Sequence, residues 1–195
     1  MKGVAPFRLC AAGALALVFP AVVQAHSNGV LVVDCASGLA HPWLGWDHLI
    51  AMTAVGFWAA QLSGRSRWLV PAAFVGVMTC GAAAGAMGVV LPGAEPMIVL
   101  SVIVFGLLVA GVVRAGLRVN LGLVAVFALF HGGAHGAEMP LSAGVPAYLA
   151  GLVTATAALH VAGFLLGSMA RRRANGMPQL VGATCIAAGF LLLIA

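Results

Sequence analysis

Apolar residues run almost without interruption along this chain, in stretches long enough to cross a lipid bilayer. The 195 residues are 63% hydrophobic and only 7% charged, and the mean hydropathy is +1.14. A soluble domain with so few charges could not cover its surface with polar groups. We therefore expect an all-α integral membrane protein with a single membrane domain, because no polar insert of domain size interrupts the sequence.

Six stretches have about the length of a transmembrane helix, which needs roughly 20 apolar residues. They cover residues 41–61, 69–91, 97–113, 120–139, 145–169 and 178–195. Residues 1–25 have the features of a secretory signal peptide, since two basic residues precede a short apolar run and a Val-Gln-Ala cleavage site. We expect the signal to be cleaved, leaving residues 26–195 as a polytopic domain with six transmembrane helices. A retained first helix is the alternative.

The arginines predict the orientation of these helices. They follow the first, third and fifth apolar stretches, at Arg65, Arg67, Arg114, Arg118, Arg171, Arg172 and Arg173. Under the positive-inside rule these three regions lie in the cytoplasm. Both ends of the mature domain are then periplasmic, in a bacterial inner membrane. The formal net charge of +5 therefore indicates membrane orientation, and no nucleic-acid partner is expected.

Two polar segments interrupt the apolar sequence, at residues 41–48 and 130–138. Together they contain four of the six histidines and two of the four acidic residues. Ionisable side chains inside a membrane are energetically expensive and usually mark a transport path or a binding site. These segments are therefore the first place to look for function.

In the first polar segment, Pro42 suits the first turn of a helix because its missing N–H costs nothing there. His41 is then expected at the outer end of the first transmembrane helix. On a continuous helix, His48 would lie on the same face about 10 Å deeper. Asp47 would either bind a metal directly or orient an imidazole.

In the second polar segment, His131, His135 and Glu138 are spaced i, i+4 and i+7, which places them on one side of a helix. Three glycines lie among them and would let a neighbouring helix or a hydrated ion approach the backbone. Gly81 and Gly85, in the second apolar stretch, are expected to serve helix packing alone, together with Gly76 and Gly88.

Imidazole and carboxylate groups together suit first-row divalent ions such as nickel, cobalt or zinc. No paired thiols point to copper(I) or an iron–sulfur cluster. The predicted metal ligands are His41, Asp47, His48, His131, His135 and Glu138.

Four further residues have weaker claims. His160, in the fifth stretch, is either an inner ligand or proton acceptor, or a packing histidine bonded to a carbonyl or to the hydroxyl of Thr156. His26 would begin the mature chain as an accessory metal ligand, unless the terminus has no role. Asp34 and Glu95 are expected to raise the local cation concentration at the outer face.

The two polar segments resemble the signatures of a known family. His-Pro-x-x-Gly-x-Asp-His at 41–48 and Phe-His-Gly-Gly-Ala-His-Gly-Ala-Glu at 130–138 resemble those of the HupE/UreJ nickel/cobalt permeases. The resemblance implies import of Ni²⁺ or Co²⁺ into the cytoplasm, with the six predicted ligands as functional positions. The metal would be the transported substrate, and no cofactor is expected. No ATPase subunit is evident, and the energy source, metal selectivity and oligomeric state stay open.

Two other function classes use buried histidines. An intramembrane metal-dependent hydrolase would hold zinc with histidines and activate water with a carboxylate, but the chain lacks an HExxH motif. A b-type cytochrome would use two transmembrane histidines as haem ligands, whereas clustered imidazoles and carboxylates suit a small cation better. We therefore predict a transport protein and not an enzyme.

Overall fold

The computed structural model describes residues 29–140, 142–172 and 176–194. The expected signal peptide, its cleavage site and His26 lie outside the described residues. All regular structure in the described part is helical, which confirms the all-α prediction. The helices are α1 (Gly29–Ala40), α2 (Trp46–Gln61), α3 (Ser66–Ala86), α4 (Ala94–Ala110), α5 (Leu117–Ala137), α6 (Val145–Arg172) and α7 (Met177–Leu193), with a 3₁₀ turn at His41–Trp43.

Three helices, α3, α5 and α6, are long and apolar enough to cross a membrane, with 21, 21 and 28 residues. The apolar helices α4 and α7 have 17 residues each, at the short end of the range of about 17–25 residues for a membrane span. The chain is therefore a helical membrane protein. The exact number of six spans stays a prediction.

The first apolar stretch differs from its expected form. It was expected to be one helix from residue 41, but the 3₁₀ turn ends before α2 begins, and Gly45 between them is extended, with φ −110° and ψ 121°. The expectation that His41 and His48 share a face of one continuous helix is therefore wrong. Helix α1 was not anticipated either, since its 12 residues are too few to cross a bilayer. It packs against α6.

Helices α3 and α5 are in close backbone contact over their second halves. On α5, a Cβ added to Gly132 or Gly136 would overlap the carbonyls of Met78 and Ala82 on α3. On α3, Gly81 and Gly85 approach α5 in the same way, which confirms their expected packing role, whereas Gly76 and Gly88 have open space around them. Because α3 covers the glycine face of α5, the histidines of α5 lie on an adjacent face.

Helices α2 and α6 form a second closely packed pair. Gly163 lies against the carbonyl of Thr53, and Gly56 lies against the carbonyl of His160. Large side chains fill the space between the two pairs and are fully buried: Met52, Trp58, Phe74, Phe105 and Tyr148. This packing brings the start of α2 and the end of α5 together.

Candidate metal centre

Three imidazoles meet where α2 begins and α5 ends. His48, His131 and His135 each offer a ring nitrogen within 4.8 Å of the others. The ring centroid of His48 lies 5.0 Å from that of His131 and 4.3 Å from that of His135. His131 and His135 have no solvent exposure, and His48 is 8% exposed. We call these three residues the inner group.

Hydrogen bonds orient two of these rings and determine which nitrogen is free. His48 Nδ1 donates to Asp47 Oδ1 over 2.7 Å, so the lone pair of His48 is on Nε2. His131 Nε2 lies 2.9 Å from Ser101 Oγ, and that hydroxyl donates its own proton to the Ile98 carbonyl over 2.6 Å. Ser101 must therefore accept from His131 Nε2–H, which leaves the lone pair of His131 on Nδ1.

The free nitrogens of the inner group have no protein partner. Among the described residues, neither His48 Nε2, His131 Nδ1 nor either nitrogen of His135 has a hydrogen-bond partner. Buried polar atoms are nearly always paired, because an unpaired one costs free energy. Imidazole nitrogens grouped this closely are a suitable environment for a transition-metal cation.

Gly45 provides the space that the Asp47–His48 pair needs. A Cβ at this position would lie 2.7 Å from Asp47 Oδ1 and 2.9 Å from His48 Nδ1. Gly45 also lies between the 3₁₀ turn and α2. Its lack of a side chain leaves room for the His48 imidazole. This accounts for the glycine between the proline and the aspartate in the first polar segment.

A second group lies nearer the surface. His41, His135 and Glu138 also bring one ligand atom each within 4.8 Å, and we call them the outer group. His41 Nε2 is 3.0 Å from Glu138 Oε2, and the centroids of His41 and His135 are 4.8 Å apart. The Glu138 side chain is 57% exposed. His135 belongs to both groups, so they form a continuous series from surface to interior.

A cavity of about 410 Å³ is lined by His41 and Glu138 of the outer group and by His48 of the inner group. Glu95, at the start of α4, lines it together with Glu138, as expected for a residue that attracts cations. Asp34 does not contribute in this way. It is buried, and its Oδ2 accepts a hydrogen bond from the Gly144 backbone N–H over 2.7 Å, so it joins α1 to the segment before α6. The expectation for Asp34 was therefore wrong.

His160 lies outside both groups. The ring of Phe74 contacts both His160 and His131, with centroid distances of 5.1 Å and 5.6 Å. The Thr156 hydroxyl donates to Met78 Sδ over 3.5 Å and not to His160. The His160 ring approaches the Thr156 backbone carbonyl one turn earlier on the same helix. Neither ring nitrogen makes a hydrogen bond of good geometry within the described part of the chain, so the packing role of His160 stays open.

Two polar residues beside the site were not anticipated from the sequence. Ser101 is the single polar residue in 97–110. Its isolation within an apolar helix could have indicated a buried hydrogen-bond partner. Tyr148, the one tyrosine of the chain, donates from its hydroxyl to the His135 carbonyl over 3.2 Å. Both residues hold the histidines of α5 from neighbouring helices.

Comparison with known proteins gives two matches. The family model described as HupE / UreJ protein matches residues 14–192. The chain belongs to the HupE/UreJ family. It is also 42% identical over 180 residues to Protein HupE of Rhizobium leguminosarum bv. viciae, covering 92% of this chain and 94% of that protein. No solved structure matches. The resemblance to HupE/UreJ proteins is thus confirmed, and neither match supports the hydrolase alternative.

Proposed function

We propose that this HupE/UreJ protein is a permease that carries Ni²⁺ or Co²⁺ across the bacterial inner membrane into the cytoplasm. The observation that carries the proposal is the inner group, in which three buried imidazoles each bring a ring nitrogen within 4.8 Å of the others. Each of these imidazoles also has at least one nitrogen without a hydrogen-bond partner among the described residues. Imidazole binds both metals well. We assign the remaining predicted ligands to successive positions on a path that leads from the outer surface to the inner group.

The ion first meets the carboxylates of Glu95 and Glu138 at the mouth of the cavity. It then exchanges part of its hydration shell for the outer group, which requires the 3.0 Å contact between His41 and Glu138 to open. His135 next retains the ion while His48 and His131 replace the outer ligands. Because His135 is shared, the ion keeps an imidazole ligand throughout this transfer.

The inner group can form a binding site with small side-chain rotations. Imidazole nitrogens bind a metal at about 2.0–2.1 Å, so the nitrogens around one ion stand roughly 3–4 Å apart. The observed limit of 4.8 Å is close to this value. Asp47 makes the His48 imidazole a better donor through Nδ1.

The inward part of the path is assigned to Phe74 and His160. Movement of the Phe74 ring would connect His131 with His160, whose imidazole offers the next position. Protonation of imidazoles, or the membrane potential acting on the divalent charge, would favour release to the cytoplasm. The arginines at the opposite ends of the helices support this direction under the positive-inside rule.

The test is uptake of radiolabelled Ni²⁺ and Co²⁺ into proteoliposomes, with and without a pH gradient. His48→Ala and His131→Ala are expected to lower uptake by at least about tenfold, the scale on which loss of a metal contact acts. Thr154→Ala is the control, since its exposed hydroxyl donates to the Ala150 carbonyl of its own helix. Absence of uptake by the unmodified protein would contradict the function, and unchanged uptake by both histidine variants would contradict the site.

A further inference from the structure

At the end of the helices opposite the metal centre, three arginines surround a second cavity. Arg67 at the start of α3, and Arg171 and Arg172 at the end of α6, line a space of about 300 Å³ together with Ser168. We propose that this cavity binds the phosphate of an anionic glycerophospholipid. Guanidinium groups and a hydroxyl present hydrogen-bond donors in the geometry that phosphate oxygens accept.

No carboxylate side chain neutralises these arginines. The chain has four acidic residues, and all lie in or beside the other end of the bundle. Asp47, for example, is at the start of α2, whereas Arg171 donates to the Ala60 carbonyl near the end of that helix over 2.6 Å. The 16 residues of α2 span about 24 Å. The positive charge is therefore available to an external anion.

Two of the arginines, Arg67 and Arg171, are held in place by contacts within the protein. The guanidinium carbon of Arg67 lies 5.5 Å from the Trp68 ring centroid and 5.2 Å from that of Phe164. Its Nε is buried and has no hydrogen-bond partner among the described residues. This buried nitrogen is shielded from an external ligand, so the terminal nitrogens of the guanidinium are the donors that Arg67, as a residue lining the cavity, can offer to a phosphate.

The surroundings favour a lipid over a free anion. Trp68 is 63% exposed and stacks on Phe164 with centroids 5.2 Å apart, as expected for a side chain at the membrane interface. On α6, the exposed Val161 and Leu165 precede Ser168 at helical spacing. An acyl chain can lie along them while the phosphate contacts the arginines. Basic cavities between helix ends are known to bind anionic head groups.

Native mass spectrometry of the purified full chain tests this inference with added phosphatidylglycerol, phosphatidylcholine or inorganic phosphate. Phosphatidylglycerol is expected to bind in preference to phosphatidylcholine. Affinity should fall about fivefold for each arginine removed, as in Arg172→Gln and the double variant Arg67→Gln with Arg172→Gln. The matched control is Arg114→Gln with Arg118→Gln, which removes the same charge outside the cavity.

Two results would overturn the proposal: an equal loss of affinity in the control, or inorganic phosphate binding as tightly as phosphatidylglycerol. Arg172 is exposed, so the single variant Arg172→Gln is sufficient for the test if the double variant does not fold. Unchanged phosphatidylglycerol binding by Arg172→Gln also contradicts the site. The measurement needs no metal, so its outcome is independent of the transport proposal.

Discussion

Individual side chains around the inner group determine which imidazole nitrogens can reach a metal. Asp47 accepts the Nδ1 proton of His48, and Ser101 accepts the Nε2 proton of His131. The two histidines would therefore present different ring nitrogens to a metal, Nε2 of His48 and Nδ1 of His131. Loss of a hydrogen bond that orients a metal-binding histidine typically lowers metal affinity by about 10–100-fold.

Replacing Asp47 should weaken metal binding in two steps. Asp47→Asn retains an oxygen that can accept from His48 Nδ1 but loses the negative charge, so a moderate loss of Ni²⁺ affinity is expected. Asp47→Ala removes both, and the loss should reach about 10–100-fold. Isothermal titration calorimetry of the purified protein measures both. Glu95→Gln is the matched control, because it removes the same charge from the same cavity; equal losses for Glu95→Gln and Asp47→Asn would contradict an orienting role.

Replacing Ser101 should affect both stability and metal binding. Ser101→Ala leaves the buried His131 Nε2–H without an acceptor, which costs about 1–3 kcal/mol in the free energy of unfolding. The ring is then free to change tautomer, so Ni²⁺ affinity should also fall. Thermal unfolding with and without Ni²⁺ measures both effects. Thr154→Ala should change stability by less than about 0.5 kcal/mol, and a Ser101→Ala variant that behaves like it would refute the hydrogen bond's role.

At the level of elements, the position of the histidines on α5 depends on how closely α5 approaches α3. Gly132 and Gly136 contact the backbone of α3 directly, and each follows a histidine in the sequence. The interruption at Gly45 has a comparable effect on α2, because it places His48 in the first turn of that helix. We therefore expect metal binding at the proposed site to depend on helix packing.

The same substitution at two glycines of α5 tests this coupling. Gly136→Ala places a Cβ on the Ala82 carbonyl and should cost about 1–3 kcal/mol, as overpacking usually does; it should also weaken Ni²⁺ binding because His135 moves. Gly122→Ala has nothing within 4 Å and should stabilise the helix by up to about 1 kcal/mol. Denaturation and calorimetry compare the two variants. Equal effects at both positions would show that the α3–α5 contact does not matter.

Across the whole molecule, charge is separated between the two ends of the bundle. The acidic side chains and the outer group lie at one end, and Arg67, Arg171 and Arg172 lie at the other. This separation agrees with the orientation expected from the sequence. It also gives the proposed path a cation-attracting entrance and leaves the arginine end for anionic lipids.

Reporter fusions test the orientation. Alkaline phosphatase fused after the C-terminus should be active, because that end is expected in the periplasm, and a green fluorescent protein fusion there should be dark. Fusions after residue 174, directly following the arginine cluster, should give the opposite result and serve as the internal control. A fluorescent C-terminal fusion would contradict the six-span topology.

The sequence by itself determined the properties that depend on local pattern. Hydrophobic length predicted a helical membrane protein, and the spacing of His131, His135 and Glu138 predicted their shared side of one helix. The two polar segments were also sufficient to recognise the HupE/UreJ family. These inferences succeed because helix periodicity and the length of an apolar stretch depend only on residues that are close together in the sequence. The six spans, the cleaved signal and the identity of the metal ligands stay predictions.

Only the tertiary structure decided how the two segments combine. Contacts between residues 97 positions apart, such as His41 with Glu138, and 30 positions apart, such as Ser101 with His131, depend on which helix faces pack together. The sharing of His135 between the groups and the burial of Asp34 follow from the same packing. No local pattern specifies these contacts, because backbone approach at glycines sets the distances between helices.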